Sequence, residues 1–180
     1  MGFTKTFNDM MYKLSTLDDS EFEELKSLLS KVELPTYEEY RHYEKADPNV
    51  VTQEAWSLIG GLKPQSISIE NNPELTIWIE NYTKRSRETI GSIHIMDYPL
   101  NSSLKPHYDP KSKTTFAFLL TAPEEGGRTT MEGRILDFKE GQVLEYNGTK
   151  VLHGVEEVTK GIRKSLIVWY NEASSKIPLI

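Results

Sequence analysis

The segment "VLHGVEEVTKGIRKSLIVWYNE", residues 151–172, combines β-forming runs with polar side chains at regular positions. From Arg163 onward it alternates like a half-buried strand, in which every second side chain points to the same side. The residues predicted to share one face are Arg163, Ser165, Ile167 and Trp169. A guanidinium on an inward face is a costly buried charge unless an anion binds beside it, and its planar fork suits a carboxylate. The segment therefore predicts a strand whose inner face receives a carboxylate, the alternative being an exposed arginine at a strand end.

The rest of the second half is also rich in short β-forming runs. They follow Thr89 and are separated by Gly, Pro and Asn, a pattern typical of a sandwich, barrel or jelly roll. In the first half, helical patterns are predicted over 20–32, 36–46, 52–61 and 72–85. We therefore predict an α+β chain that is mainly β, in which N-terminal helices support a β-structure.

Capping residues indicate where two of these helices begin. Ser20 and Glu23 have the spacing of a capping box, in which each side chain bonds the other's backbone N–H. Asn72 is predicted as an N-cap and Pro73 as the first helical residue, where its missing N–H is harmless.

The chain is predicted to form one domain. Its 180 residues are an ordinary domain length, and no flexible linker divides the helical part from the β-part. Within the domain 1–180 we expect a mainly helical support region over 1–88, a jelly-roll core with the site over 89–172, and a tail over 173–180.

Composition excludes several classes of function. The absence of cysteine excludes disulfides, thiolate metal sites and a cysteine nucleophile. With 21 Lys plus Arg against 27 Asp plus Glu, the net charge of −6 argues against an extended nucleic-acid surface. The chain has neither the apolar core of a signal peptide nor an apolar run of membrane-span length. We therefore expect a cytoplasmic protein with no membrane partner, and the sequence carries no signal for its oligomeric state.

A second polar motif lies in "KPHYDPKSK", residues 105–113, where His107 and Asp109 stand one residue apart and share a side of an extended chain. His153 lies in the segment quoted first. Two imidazoles and one carboxylate are the ligand set of non-haem Fe(II) oxygenases. The alternative is a His–Asp pair in a turn and an unrelated surface histidine. Arg163, shortly after His153, favours the metal site because it calls for a carboxylate next to the metal.

"HYD" followed by "LHGVEEVTKGIRKSLIVWYNE" resembles the 2-oxoglutarate- and Fe(II)-dependent oxygenase superfamily, and within it the prolyl-4-hydroxylase-like branch. The resemblance covers residues 72–172 and includes "IHIMDYP", "EEGGRTTM" and "LDFKEGQVLEY". It implies a double-stranded β-helix, or jelly roll, with helices packed on one sheet. It also implies Fe(II), 2-oxoglutarate and O2 as cofactors and cosubstrates, with ascorbate as an assisting reductant.

The resemblance implies a role for each polar residue of the two motifs. His107, Asp109 and His153 match the iron ligands. Arg163 matches the residue that pairs with the distal carboxylate of 2-oxoglutarate, and Ser165 matches the hydroxyl that assists it. An aspartate in the ligand set favours hydroxylation, because related halogenases have a small residue there to make room for halide.

The cosubstrate pocket combines one match with one departure. Tyr98 matches the tyrosine that lines this pocket in prolyl hydroxylases. On the strand after the HxD motif, where hypoxia-sensing prolyl hydroxylases place a second tyrosine, this chain has Leu119. The cosubstrate contacts are then expected to be rearranged, with Thr129 or Thr115 contributing.

Four residues are candidates for the substrate pocket. Trp169 matches the inward aromatic residue of the last core strand. If Tyr98 faces the interior, alternation puts Met96 and His94 on the same side, with His94 toward the pocket mouth. The alternative for His94 is a partly buried imidazole bonded to backbone. Arg128 is either a substrate contact or a solvent-facing strand residue.

The expected function is a dioxygenase that hydroxylates a C–H bond with release of succinate and CO2. The leading substrate is a peptidyl proline or another amino-acid substrate, so the expected partner is a peptide or small molecule. Hydroxylation of another small molecule or a nucleobase remains an alternative. Two further alternatives are a non-catalytic jelly-roll binding module and a cupin-type metal enzyme that does not use 2-oxoglutarate.

Overall fold

The computed structural model describes residues 12–34, 59–60, 62–109 and 111–171. These residues include two α-helices, α1 (Asp19–Ser30) and α2 (Pro73–Thr83), and a short 3-10 helix over Arg87–Thr89. The strands before the metal-ligand motif are β1 (Tyr12–Thr16), β2 (Ile59–Gly60), β3 (Lys63–Ser66), β4 (Ser92–Tyr98) and β5 (Ser103–His107). The later strands are β6 (Ser112–Thr121), β7 (Glu125–Gly126), β8 (Thr129–Met131), β9 (Arg134–Ile135), β10 (Gln142–Tyr146), β11 (His153–Val155), β12 (Val158–Lys160) and β13 (Arg163–Asn171).

The strands form antiparallel sheets, so the prediction of a mainly β chain with helices is confirmed at that level. The larger sheet has six strands in the order β1-β10-β6-β13-β4-β3, and the smaller has five in the order β2-β5-β11-β8-β9. A two-stranded ribbon pairs β12 with β7. The last strand, β13, lies centrally between β6 and β4, which makes its inner face the floor of the space between the sheets.

Both described helices pack on the outer face of the larger sheet. Leu25 of α1 and Ile79 of α2 are fully buried in the same cluster as Leu166 and Val168 of β13. Trp78 of α2 contacts the sheet through its ring, which lies 5.9 Å from that of Phe118. This apolar layer fixes the larger sheet from behind. Its opposite face is therefore the one that faces the smaller sheet.

Two smaller apolar clusters lie between the sheets. One joins Ala117 and Leu144 of the larger sheet to Met131 of the smaller sheet. The other joins Met96 and Tyr98 of β4 to Val155 and Val158, with Leu62 beside them. Both clusters contact Ile167 of β13, and the buried polar residues include His153, Arg163 and Ser165.

The helix α2 begins as predicted, with Asn72 as N-cap and Pro73 in the first turn. The helix α1 begins two residues earlier than predicted, because Asp18 and Glu21, rather than Ser20 and Glu23, form the capping box. The Asp18 carboxylate accepts from Glu21 N–H at 2.7 Å, and the Glu21 carboxylate accepts from Asp18 N–H at 3.0 Å. Leu17, just outside the cap, is buried in the outer cluster and draws the helix start toward the sheet.

The support region contains strands that were not predicted from the sequence. β1 pairs with β10 and β3 pairs with β4, so both extend the larger sheet. The helix predicted over 36–46 lies outside the described residues, as do residues 52–58 of the helix predicted over 52–61. The prediction for the end of the 52–61 helix is wrong, since Ile59–Gly60 form β2. Neither described helix has both the length and the apolar character needed to cross a bilayer.

Candidate metal and cosubstrate site

His107, Asp109 and His153 come together at one end of the smaller sheet. His107 is the last residue of β5 and lies opposite His153, the first residue of β11. Asp109 follows two residues after His107, and its two carboxylate oxygens lie 3.2 Å from His107 Nε2 and 3.1 Å from His153 Nε2. One ligand atom from each of the three residues lies within 4.8 Å of the others. The two motifs predicted from sequence are therefore one cluster.

Backbone carbonyls orient both imidazoles. His107 Nδ1 lies 2.7 Å from the carbonyl oxygen of Lys105, and His153 Nδ1 lies 2.8 Å from that of Val151. In a neutral ring the N–H at Nδ1 donates to this carbonyl, which leaves the lone pair on Nε2. Metal-ligating histidines are held in this way by a second partner. Both Nε2 atoms consequently face Asp109 as potential ligand atoms.

A β-bulge in β5 turns His107 into the interior. Across the pair, two steps along β11, from His153 to Val155, match three steps along β5, from His107 to Leu104. In a regular strand, residues three apart lie on opposite faces, so the extra residue of the bulge lets Leu104 and His107 lie on the same side. Gly154 lies opposite the bulge, where an added Cβ would be only 2.7 Å from the Leu104 carbonyl oxygen. The absence of a side chain at Gly154 lets the bulge approach β11.

The loop before His153 holds Asp109 in place. The backbone N–H of Asp109 donates to the Gly148 carbonyl at 2.8 Å. A Cβ added to Gly148 would lie 2.8 Å from Asp109 Oδ2, so only glycine lets the loop come this close. The side-chain oxygen of Asn147 accepts from the N–H of Thr149 at 3.0 Å and stabilises the turn. The carboxylate is thus fixed from its backbone as well as by the two histidines.

The electrostatics of the cluster suit a divalent cation. Burial alone would raise the pKa of Asp109, but hydrogen bonds and charge from His107 and His153 outweigh it and hold that pKa well below its usual range. Burial lowers the pKa of His107, yet its contact with Asp109 raises it above the ordinary value overall. An ionised carboxylate between two imidazoles matches the donor set of non-haem Fe(II) sites. These residues therefore fit Fe(II).

Arg163 is buried in the same interior, with 4% of its surface exposed. Its Nη1 donates to the Gly127 carbonyl at 2.8 Å and to Thr129 Oγ1 at 2.9 Å, and its guanidinium carbon lies 5.2 Å from the centre of the Tyr98 ring. Burial lowers the pKa of Arg163, while the nearby Tyr98 and Tyr146 raise it. In the described part of the chain, no carboxylate pairs with this guanidinium, and its Nε has no partner. A buried cation in this state fits a carboxylate ligand.

Two other polar atoms on the inner face of β13 are also buried without a hydrogen-bond partner in the part of the chain that the structure describes. Among the described residues, Ser165 Oγ and Trp169 Nε1 are buried and have no hydrogen-bond partner. Both residues share the inner face with Arg163, while Leu166, Val168 and Tyr170 pack outward, as the alternation predicts. Buried polar groups without partners are rare and call for a ligand. Ser165 and Arg163 together fit one end of a dicarboxylate such as 2-oxoglutarate.

The substrate-pocket candidates divide into two groups. His94 and Met96 are buried in the interior, and the His94 ring lies 4.8 Å from the Trp169 ring. Burial lowers the pKa of His94 to about 4, so the imidazole is neutral at neutral pH. Arg128 lies outside this interior. It is on the surface, where its guanidinium binds Glu156 through two hydrogen bonds of 2.7 and 3.2 Å.

Tyr146 is a pocket residue whose role was not predicted from the sequence. It ends β10 opposite Thr115 of β6, and its ring lies 4.8 Å from that of His153. Burial raises the pKa of Tyr146 well above its usual value, the charge of Asp109 adds to this, and Thr115 and Arg163 oppose it. Its alternation with Leu144 was visible in the sequence. The pairing that turns this face toward His153 was not.

Comparison with known proteins identifies the fold. No protein-family model and no curated protein matches the chain. Solved structures do match. A viral collagen prolyl hydroxylase from Paramecium bursaria Chlorella virus-1, in a 2-oxoglutarate complex, has a TM-score of 0.60 at 16% identity, covering 88% of this chain and 94% of that one. A 2OG-Fe(II) oxygenase family oxidoreductase from Burkholderia pseudomallei has a TM-score of 0.61 at 14% identity, covering 89% and 84%.

A third match extends the comparison to an enzyme with a bound peptide. The Trichoplax adhaerens prolyl hydroxylase, in complex with a hypoxia inducible factor oxygen degradation domain peptide fragment, has a TM-score of 0.61 at 14% identity, covering 91% of this chain and 84% of that one. At such identities the matches establish a shared fold. The chain thus has the fold of 2-oxoglutarate- and Fe(II)-dependent oxygenases, prolyl hydroxylases among them, as the resemblance of its sequence implies.

Proposed function

We propose that this protein is an Fe(II)- and 2-oxoglutarate-dependent dioxygenase that hydroxylates a C–H bond. The observation that carries the proposal is the presence, in one interior, of the His107–Asp109–His153 cluster and the buried Arg163, which has no carboxylate partner among the described residues. The fold of the solved oxygenases supports it. We also propose that the two sheets form a double-stranded β-helix and that 1–180 is a single oxygenase domain.

His107, Asp109 and His153 would hold the metal, and neighbouring groups keep these three side chains oriented and in the right protonation state. The carbonyls of Lys105 and Val151 fix the imidazoles with Nε2 directed inward, and the low pKa of Asp109 keeps its carboxylate ionised. When bound, Fe(II) and 2-oxoglutarate supply the oxidising chemistry that converts O2, cosubstrate and substrate to hydroxylated product, succinate and CO2.

Arg163 and Ser165 would bind the distal carboxylate of 2-oxoglutarate. The Gly127 carbonyl and Thr129 already hold Nη1 of the guanidinium, so the side chain is oriented before a ligand enters. Its Nε and the hydroxyl of Ser165 remain as donors. Hydrogen bonds between charged groups are about twice as strong as neutral ones, particularly in a buried site. Tyr98 would line this pocket, since its ring covers the guanidinium.

The substrate would enter beside His94, Met96 and Trp169. Their rings and thioether exclude water, while the indole N–H of Trp169 offers one donor. We propose a peptidyl proline or another amino-acid substrate, which is supported by the peptide complex of the Trichoplax adhaerens prolyl hydroxylase and by the viral collagen prolyl hydroxylase. A small molecule or nucleobase would be the alternative substrate, and a product search by mass gain of one oxygen would separate them.

One assay tests the proposal against a non-catalytic binding module. Purified protein with Fe(II), O2 and 2-oxoglutarate should release succinate slowly even without substrate, and His107→Ala should abolish release because one of three ligands is lost. A binding module would bind a ligand without producing succinate. A metal enzyme that does not use 2-oxoglutarate would show no binding of this acid at all. Either outcome would refute the proposed reaction.

A further inference from the structure

Tyr146 lies against a residue of the metal cluster. The centre of its ring is 4.8 Å from that of His153, with the ring planes inclined by 58°. Its pairing opposite Thr115 puts both residues on the inner face of the larger sheet. The phenol therefore enters the interior from β10, beside the cluster, rather than from the strands that carry Arg163 and Tyr98.

The contact between the Tyr146 and His153 rings locates the phenol at the end of the pocket that carries the metal cluster. The neighbouring hydroxyl of Thr115 is fully buried and bonded to Ser112 Oγ at 2.9 Å.

The position of Leu119 excludes one role for this phenol. Leu119 is buried opposite Ser165, at the Arg163 end of the pocket. Thr115, which is the partner of Tyr146, lies four residues earlier on β6, and four residues of strand span roughly 13 Å. Tyr146 is therefore too far along the sheet to replace a tyrosine at Leu119. It lies instead beside the metal cluster, where its ring contacts that of His153.

We propose that the Tyr146 hydroxyl donates a hydrogen bond to the carboxylate of the cosubstrate that lies next to the metal. The two ends of the cosubstrate are then bound by different strands, the distal end by Arg163 on β13 and the metal end by Tyr146 on β10. This inference rests on the proposed function and adds a binding residue to it. A phenol donating to a carboxylate in a buried site contributes about a tenfold gain in affinity.

Equilibrium binding of two 2-oxo acids to the Mn(II)-loaded protein tests the inference without turnover. 2-Oxoglutarate carries both carboxylates, whereas pyruvate has only the one at the metal end. Tyr146→Phe should lower the affinity for both acids about tenfold. Calorimetry measures this affinity for 2-oxoglutarate, and competition measures it for pyruvate. Arg163→Met should weaken 2-oxoglutarate only. Tyr170→Phe is the matched control, because its hydroxyl pairs with Thr83 at 2.8 Å on the outer face.

Each outcome decides between the inference and the proposed function. Equal affinities of the wild type and Tyr146→Phe for both acids would overturn the inference alone. A lower affinity for 2-oxoglutarate with an unchanged affinity for pyruvate would overturn it too, since the phenol would then act at the Arg163 end. If the Mn(II)-loaded wild type binds neither acid, the proposed function fails first. Thermal melting of Tyr146→Phe and Tyr170→Phe confirms that both variants are folded before binding is compared.

Discussion

The two faces of β13 differ in how their side chains are satisfied. On the outer face Leu166 and Val168 are fully buried against the helices, and the Tyr170 hydroxyl bonds Thr83. On the inner face Arg163 and Ser165 are equally buried, yet polar atoms of both lack a partner in the described structure. One strand thus buries apolar side chains on one side and unsatisfied polar groups on the other, where the proposed function places a ligand.

Under the proposed function, this contrast separates residues that stabilise the fold from residues that bind the ligand. Burying a leucine stabilises the fold by about 2 kcal/mol, whereas burying a polar group without a partner costs about 1–3 kcal/mol. The inner-face residues therefore weaken the free protein, and their cost is recovered when a ligand supplies the missing partners. Substitutions on the two faces should consequently separate unfolding from ligand binding.

The largest loss of stability is expected on the outer face. Leu166→Ala removes three heavy atoms from a fully buried site between sheet and helices, and should lower the free energy of unfolding by about 3 kcal/mol in urea. The folded fraction should bind 2-oxoglutarate as the wild type does. Ile162→Ala, at an exposed residue just before β13, is the control and should change the free energy of unfolding by less than about 0.5 kcal/mol. A comparable loss in both variants would refute the contrast.

On the inner face the opposite pattern is expected. Arg163→Met removes a buried cation but keeps its volume, so the free energy of unfolding should change by less than about 1 kcal/mol. Affinity for 2-oxoglutarate should fall about 100-fold, because a charge-assisted pair is lost. Arg87→Met, at an exposed arginine, should leave both quantities unchanged. A large loss of stability in Arg163→Met would mean that the guanidinium is a structural group.

The contrast on β13 was readable from sequence because alternation is local. Arg163, Ser165 and Trp169 have the spacing of one strand face, and burial of Leu166 and Val168 follows from the same period. The grouping of His107 with His153 was one of two interpretations of the motifs, and it was favoured by Arg163 and then by the resemblance to known oxygenases. Local pattern and resemblance together therefore predicted the main parts of the site.

What the sequence did not reveal depends on long-range pairing. β1 joins β10 and β3 joins β4 across large separations, and nothing local in "YKLST" or "KPQS" identifies the partner. The inward position of Tyr146 depends on the same pairing. The bulge in β5 is set by its contact with Gly154, which no pattern in β5 alone predicts. Strand existence is local, but sheet order and bulges are properties of the assembled fold.

His94 gives the inner face a pH dependence of intermediate size. Burial lowers its folded-state pKa to about 4, below the ordinary 6.5. As pH falls below about 6.5 the unfolded chain takes up a proton that the folded chain refuses until about 4, so stability is full above this window and lost within it. In urea titrations, the free energy of unfolding of the wild type should fall by about 2 kcal/mol between pH 7 and pH 5, relative to that of His94→Gln. Parallel losses in both proteins would assign the pH dependence to other groups.

The smallest effect is expected from a single methyl group at the bulge. In Gly154→Ala the new Cβ would lie 2.7 Å from the Leu104 carbonyl oxygen and 2.9 Å from Pro106 N, so β5 must move and His107 with it. Affinity of the metal-free protein for Mn(II) should fall about tenfold, as expected when the support of a ligand is disturbed.

Gly133→Ala provides the matched control for the bulge. Gly133 has a φ of +74°, and a methyl group added there would have no described atom within 4 Å, so alanine costs about 1 kcal/mol of backbone strain without touching the cluster. This variant should lose stability and keep its Mn(II) affinity, whereas Gly154→Ala should lose affinity. Equal Mn(II) affinities in the two variants would show that β5 absorbs the methyl group without moving His107. The inner face would then be more compliant than the tightly packed outer face.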